Sequence, residues 1–152
     1  MDTERKHLGL YERYLIRESL QHWRQKEVSW LMDTFGDIEH TIVCLGNMSD
    51  RGQVIKLSHQ GVLQGIVAFD IGYTWWTPHR VCTELFVLAF KDVHGFQMHA
   101  IKALEDVARD YGAKLIVTGN MFQKNNNLIG NGYKKHGFRQ ECSTYVKEVM
   151  TQ

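Results

Sequence analysis

The sequence predicts an α/β fold built on a mixed, mostly antiparallel sheet. Three observations carry this. Apolar, β-branched runs broken by Gly, Asn, Asp and Ser clusters follow one another between residues 41 and 89, the pattern of successive hairpins. Residues 84–90 then form an apolar run, 91–95 a glycine-bearing turn, 96–111 an amphipathic stretch, and 114–118 a second apolar run. A helical crossover of that kind makes its two strands parallel. Two amphipathic helical segments precede any strand.

The first helix is expected over residues 8–25, burying Leu8, Tyr11, Leu15 and Trp23, with Arg13, Arg17, Glu18 and Arg24 mainly on the wet side. A second, over 27–35, stops at Gly36. Residues 41–45 read as a short strand and 46–52 as a turn. Strands follow over 53–58 and 62–71, and Gly65 within the latter hints at a bulge. Residues 73–80 form a long aromatic hairpin end, and the chain returns through 81–89 as a central strand. In the next helix Met98, Ile101, Leu104, Val107 and Ala108 repeat at helical spacing, and Gly112 ends it. A short helix passes through Leu128, Ile129 and Tyr133 to His136-Gly137, and 140–149 reads as a closing strand.

The 152 residues are 43% hydrophobic and 23% charged, which suits one folded domain, 1–152, with one sizeable core. A formal charge of +1 gives no overall field that would gather nucleic acid or an anionic membrane. No apolar run reaches the roughly 18 residues that span a bilayer, and residues 1–7 are charged rather than signal-like. Cys44, Cys82 and Cys142 are widely spaced and odd in number, as reduced, mostly core thiols would be, so a cytoplasmic location is expected. His94 and His99 do not make an HExxH arrangement and have no third ligand nearby in sequence, so no metal site is expected.

Two segments resemble the GCN5-related N-acetyltransferase (GNAT) family. Leu85-Phe86-Val87-Leu88, leading to Gly95 and Lys102-Ala103-Leu104-Glu105, is similar to that family's acyl-CoA strand, loop and helix. Asn126 through Tyr133-Lys134-Lys135-His136-Gly137-Phe138 is similar to its "Asn…Tyr-x-x-x-Gly-Phe" segment. The likeness is strongest over residues 81–149; residues 1–80 share only the order of elements. It implies a twisted sheet with helices on both faces and acetyl-CoA as co-substrate.

The resemblance also implies a site. The backbone of Phe86, Val87, Leu88 and Ala89 would line the pantetheine arm. Val93, His94, Gly95, Phe96 and Gln97 would line the pyrophosphate, where helix-start N–H groups favour an anion. Asn126 would hydrogen-bond the arm or cap its helix. Tyr133 would protonate the leaving thiolate, and Glu84 or His79 would take the amine proton. The loop departs from the family pattern at two places. Asp92 stands where Arg or Gln is usual, and Gln97 replaces the second glycine. A carboxylate repels a pyrophosphate, and a side chain at the glycine position limits backbone approach.

Three functions follow. The first is acetyl transfer to a primary amine of a small molecule or protein. The second is a catalytically inactive protein of this fold within a homo-oligomer or larger assembly, such as a viral particle. The third is a nucleic-acid-modifying acetyltransferase, resting on Lys124, Lys134, Lys135 and Arg139 alone. Trp75 and Trp76 would wall an acceptor pocket, fill an interface, or cover the core beneath the N-terminal helices.

Overall fold

The structure is a computed structural model that describes residues 1–27, 29–90, 93, 95–119, 126–141 and 144–150. The elements run β1 (Asp2–Glu4), α1 (Leu10–Lys26), α2 (Trp30–Phe35), α3 (Ile38–Asp50), β2 (Val54–His59), β3 (Val62–Thr74), β4 (Thr77–Ala89), α4 (Phe96–Asp110), β5 (Leu115–Val117) and α5 (Asn126–Lys135). The strands form one sheet in the order β1-β2-β3-β4-β5. The first four pair antiparallel. β4 and β5 pair parallel, with Cys82 opposite Ile116, as the crossover through α4 predicts. Among the described residues no helix is long and apolar enough to cross a membrane.

Alternation along the strands builds a core on each face of the sheet. Ile55, Leu57, Val67, Phe69 and Cys82 pack under Phe96, Ala100, Ala103, Leu104, Val107 and Ala108 of α4. Val54, Ile66, Ala68 and Leu88 meet Ile16 of α1 and Ile42 and Leu45 of α3 on the other face. Helices therefore cover both faces, and the fold is α/β with a mixed, mostly antiparallel sheet. Met98, expected on the buried stripe of α4, is half exposed because that stripe runs instead through Phe96, Ala100 and Ala103.

The N-terminal half differs from expectation in two ways. Residues 41–45 are not a strand, nor 46–52 wholly a turn; they lie in α3 or just beyond its end. Asp37 caps that helix by accepting from the His40 N–H at 2.9 Å, and Ile42, Leu45 and Ser49 repeat along its buried face. Gly46 lets the Arg13 guanidinium of α1 pass close by, since a Cβ there would sit 3.0 Å from Arg13 Nη2. The second difference is the orientation of α1. It buries Ile16 and Ser19, while Leu10 and Tyr11 face solvent. The cause is Glu12, drawn inward by Lys56, whose Nζ lies 3.0 Å from Glu12 Oε1 with the Lys56 side chain only 8% exposed. Glu12, Ile16, Ser19 and Trp23 then make one face at helical spacing. Arg17 is not merely solvated: its Nε lies 2.6 Å from Glu39 Oε1 and joins α1 to α3.

The two ends of the chain also differ from expectation. The charged segment Asp2–Glu4 is an edge strand, with Thr3 opposite Leu57. All three of its side chains are exposed, which suits an edge held by backbone bonds. The expected closing strand over 140–149 is absent among the described residues, where 144–150 are exposed coil. Strand-forming composition does not make a strand without a partner edge. Cys142 lies outside the described residues.

Candidate active site

The site grows from two irregularities in β4. In its pairing with β3, Ala68 faces Phe86 while Phe69 faces Glu84, so Leu85 is an extra residue, a β-bulge. The bulge resets the alternation. Cys82 before it and Val87 and Ala89 after it point to the α4 face, whereas Phe86 and Leu88 point to the α1/α3 face. Glu84 is opposite Phe69, a member of the α4-side core, and so faces that side. The second irregularity is on the other edge. β5 pairs with β4 only from Val81 to Thr83, where β5 ends at Val117. From Glu84 to Ala89 that edge of β4 has no strand beside it among the described residues.

α5 brings Tyr133 to Glu84, the first β4 residue past this pairing. Its hydroxyl donates to Glu84 Oε2 at 2.8 Å and Oε1 at 3.0 Å. Burial pushes the Glu84 carboxyl up to about 7, and the Tyr133 hydrogen bond offsets part of that rise. Burial also raises Tyr133 well above the ordinary phenol range, with the Glu84 charge adding to it; hydrogen bonds from Thr118 and Gln97 oppose the rise. The pair thus has a proton held tightly on the phenol and a carboxyl that titrates near neutrality. The Tyr133 ring rests against Phe138, centroids 5.2 Å apart.

The start of α4 forms the other wall. Gly95 caps the helix at φ 77, a left-handed conformation open to glycine at little cost. Phe96 is buried, and its ring lies against Gly65 of β3, where a Cβ would collide with it. That close approach gives the glycine beside the β2–β3 bulge its purpose, and it anchors the helix start on the sheet. The next N–H groups, of Gln97 and Met98, have no partner within the helix, as at any helix start. The Gln97 side chain crosses to α5, where its Nε2 donates to the Ile129 carbonyl at 2.9 Å. Gln97, Asn131, Gly132, Lys134 and Lys135 line an open groove between α4 and α5.

Of the expected site residues, Glu84 and Tyr133 meet, Gln97 reaches the helix that carries Tyr133, Gly95 caps the helix that carries Gln97, and Phe86, Val87, Leu88 and Ala89 continue β4 beyond Glu84. Val93 packs against the α4-side core. The Ala89 carbonyl is already occupied, accepting from Trp23 Nε1 at 3.1 Å. His79 is exposed on the hairpin side of β4, five residues from Glu84 or ~16 Å along an extended strand. Asn126 is the first residue of α5. Its side chain, and Asp92, His94 and Lys124, lie outside what is described. Trp75 is 96% exposed and Trp76 52% exposed at the β3–β4 turn, so neither covers the core. Cys82 is fully buried, its thiol pushed up to about 11 by burial and by Glu84 and Asp70, which fits a core thiol and not a nucleophile. The sequence reading missed Thr118 as a neighbour of Tyr133 and the reach of Gln97 to α5. The only signal for the latter was a long polar side chain where a glycine was expected.

No family model matches the sequence, and comparison with curated proteins finds no match. Solved structures do match in fold. Ribosomal-protein-alanine N-acetyltransferase from Brucella melitensis biovar Abortus 2308 superposes with a TM-score of 0.68 at 14% identity, covering 98% of this chain and 100% of that one. AAC(6')-Iy in complex with the bisubstrate analogue CoA-S-monomethyl-acetylneamine gives 0.65 at 12% identity, with 98% of each chain covered. A GCN5-related N-acetyltransferase from Ralstonia eutropha JMP134 gives 0.64 at 10% identity, covering 89% of this chain and 90% of that one. The chain has the fold of the GCN5-related N-acetyltransferases.

Proposed function

We propose that this protein transfers an acetyl group from acetyl-CoA to a primary amine by direct attack, with residues 1–152 acting as one domain. The observation that carries the reading is the Tyr133–Glu84 hydrogen bond, made just past the end of the β4–β5 pairing. Acetyl-CoA would supply the acyl group as a thioester. Its amide-bearing arm suits the β4 edge at Phe86–Ala89, where no described strand pairs and the Ala89 carbonyl already accepts from Trp23 Nε1, much as a peptide adds to a sheet. Val93, Gly95, Phe96 and Gln97 would face the pyrophosphate at the α4 start, with Lys134 and Lys135 beside it.

The residues divide the proton traffic between them. Glu84 takes a proton from the attacking amine as the C–N bond forms. Tyr133 gives its proton to the departing sulfur as the C–S bond breaks. The Glu84 carboxyl, hydrogen-bonded to the phenol, then returns its proton to the Tyr133 oxygen. The sum is one proton moved from amine to thiol, with both side chains restored. The solved structures of like fold bear names and a ligand that point to amine acceptors, a ribosomal-protein alanine and a neamine. An amine of either kind is the acceptor class proposed here.

The rival is a non-catalytic binding protein. Gln97, whose carboxamide takes up space beside the helix start, and the exposed Trp75 favour it. The test combines calorimetry with acetyl-CoA and release of free thiol in the presence of a panel of primary amines. Acetyl-CoA binding with amine-dependent thiol release is expected. No binding at millimolar acetyl-CoA would overturn the proposal in favour of the rival.

A further inference from the structure

Resting on that reading, we propose that Gln97 is a positioning residue: its carboxamide clamps α5 onto the first turn of α4 and so holds the Tyr133 hydroxyl on Glu84. Three observations meet here. Gln97 Nε2 donates to the Ile129 carbonyl at 2.9 Å. Ile129 is four residues before Tyr133, so that carbonyl is the one a helix pairs with the Tyr133 N–H. The clamp therefore grips the turn that carries the phenol. Gly132, the residue preceding Tyr133, lies so close to Gln97 that a Cβ there would run into the Gln97 carboxamide.

The geometry explains an otherwise awkward residue. A glycine at position 97 would leave the α4 start open and α5 unattached on that side. Among the described residues, the side-chain hydrogen bonds that tie α5 to the rest of the chain are made at Gln97 and Tyr133. Gly132 is the complement of Gln97, since the missing side chain is the space the carboxamide fills. The pair trades openness at the helix start for a fixed phenol.

The test uses the full chain without any acetyl donor, and reads amide hydrogen exchange over residues 129–135 against the buried α4 residues Ile101 and Leu104. Gln97→Leu keeps the volume and removes the donor; Gln97→Ala removes both. Each should speed exchange over 129–135 about tenfold while leaving Ile101 and Leu104 unchanged. Gly132→Ala alone should do the same by expelling the carboxamide. Added to Gln97→Ala, it should cost nothing more, because the methyl enters emptied space. In turnover, Gln97→Leu, which keeps the backbone N–H that would face the pyrophosphate, should lower kcat about tenfold with KM for acetyl-CoA changed less than twofold. Unchanged exchange over 129–135 in both Gln97 variants, or full additivity with Gly132→Ala, would overturn the clamp. Absence of acetyl transfer in the parent protein would sink the proposed function alone, since the exchange result decides the clamp without any turnover.

Discussion

At the residue scale the informative group is the Glu84 carboxyl. Burial lifts it from 4.5 to about 7 in the folded protein. As a base it works when ionised, so kcat/KM should climb with pH through about 7 and level off above it. The same shift has a stability consequence of opposite sign. The folded state binds this proton more tightly than the unfolded chain does. Its contribution is complete below about 4.5 and is lost as pH rises to about 7. Glu84→Gln removes the titration while keeping an acceptor for Tyr133. Relative to the parent it should be near neutral in stability at pH 4.5 and more stable at pH 8, by about 1–3 kcal/mol, the upper end being the full shift. Denaturant unfolding at the two pH values checks this, and a pH-independent difference would contradict it. The sequence marked Glu84 and Tyr133 as site residues. It did not show that they touch, because they lie 49 residues apart and on different elements.

At the scale of elements, two contacts set how the helices sit on the sheet. The Lys56–Glu12 pair orients α1. Glu12→Ala strands a nearly buried ammonium and should cost about 3 kcal/mol, while Lys56→Met together with Glu12→Leu should recover most of that. Thermal or denaturant unfolding of the three variants measures it. Gly65 sets α4. Gly65→Ala forces a methyl against the Phe96 ring and the Leu88 carbonyl, and should cost about 1–3 kcal/mol. It should also weaken acetyl-CoA binding, since it shifts the helix start. These contacts also show what the sequence made legible. The amphipathic stripe of α4 and the Gly65 irregularity were readable because they follow local periodicity and glycine placement. The face of α1 was not, because a charged residue at the head of a buried face looks like part of the wet one until its partner on β2 is known. In the same way α3 was hidden by β-branched Thr41, Ile42 and Val43 and by the turn-forming residues after them, although Asp37 stood at the right place for a cap.

For the whole molecule, the strand–helix–strand unit was legible and it places the site. Its parallel pairing, the glycine at the head of α4 and the second helix bearing Tyr133 all follow from the order of patterns in residues 81–138. What the order could not give is the bulge at Leu85, which turns Glu84 and Phe86 to opposite faces. Simple alternation would have put them side by side. Nor could it give the end of the β4–β5 pairing at Thr83, because β4 stays apolar past that point although β5 stops at Val117. The bulge turns Glu84 toward Tyr133, and the end of the β4–β5 pairing leaves the edge that the acetyl donor would occupy. The most direct measurement is therefore turnover and acetyl-CoA binding of Tyr133→Phe beside the parent. Removing one hydroxyl should cut kcat about 100-fold while Kd for acetyl-CoA stays within about twofold. Turnover equal to that of the parent would contradict the account.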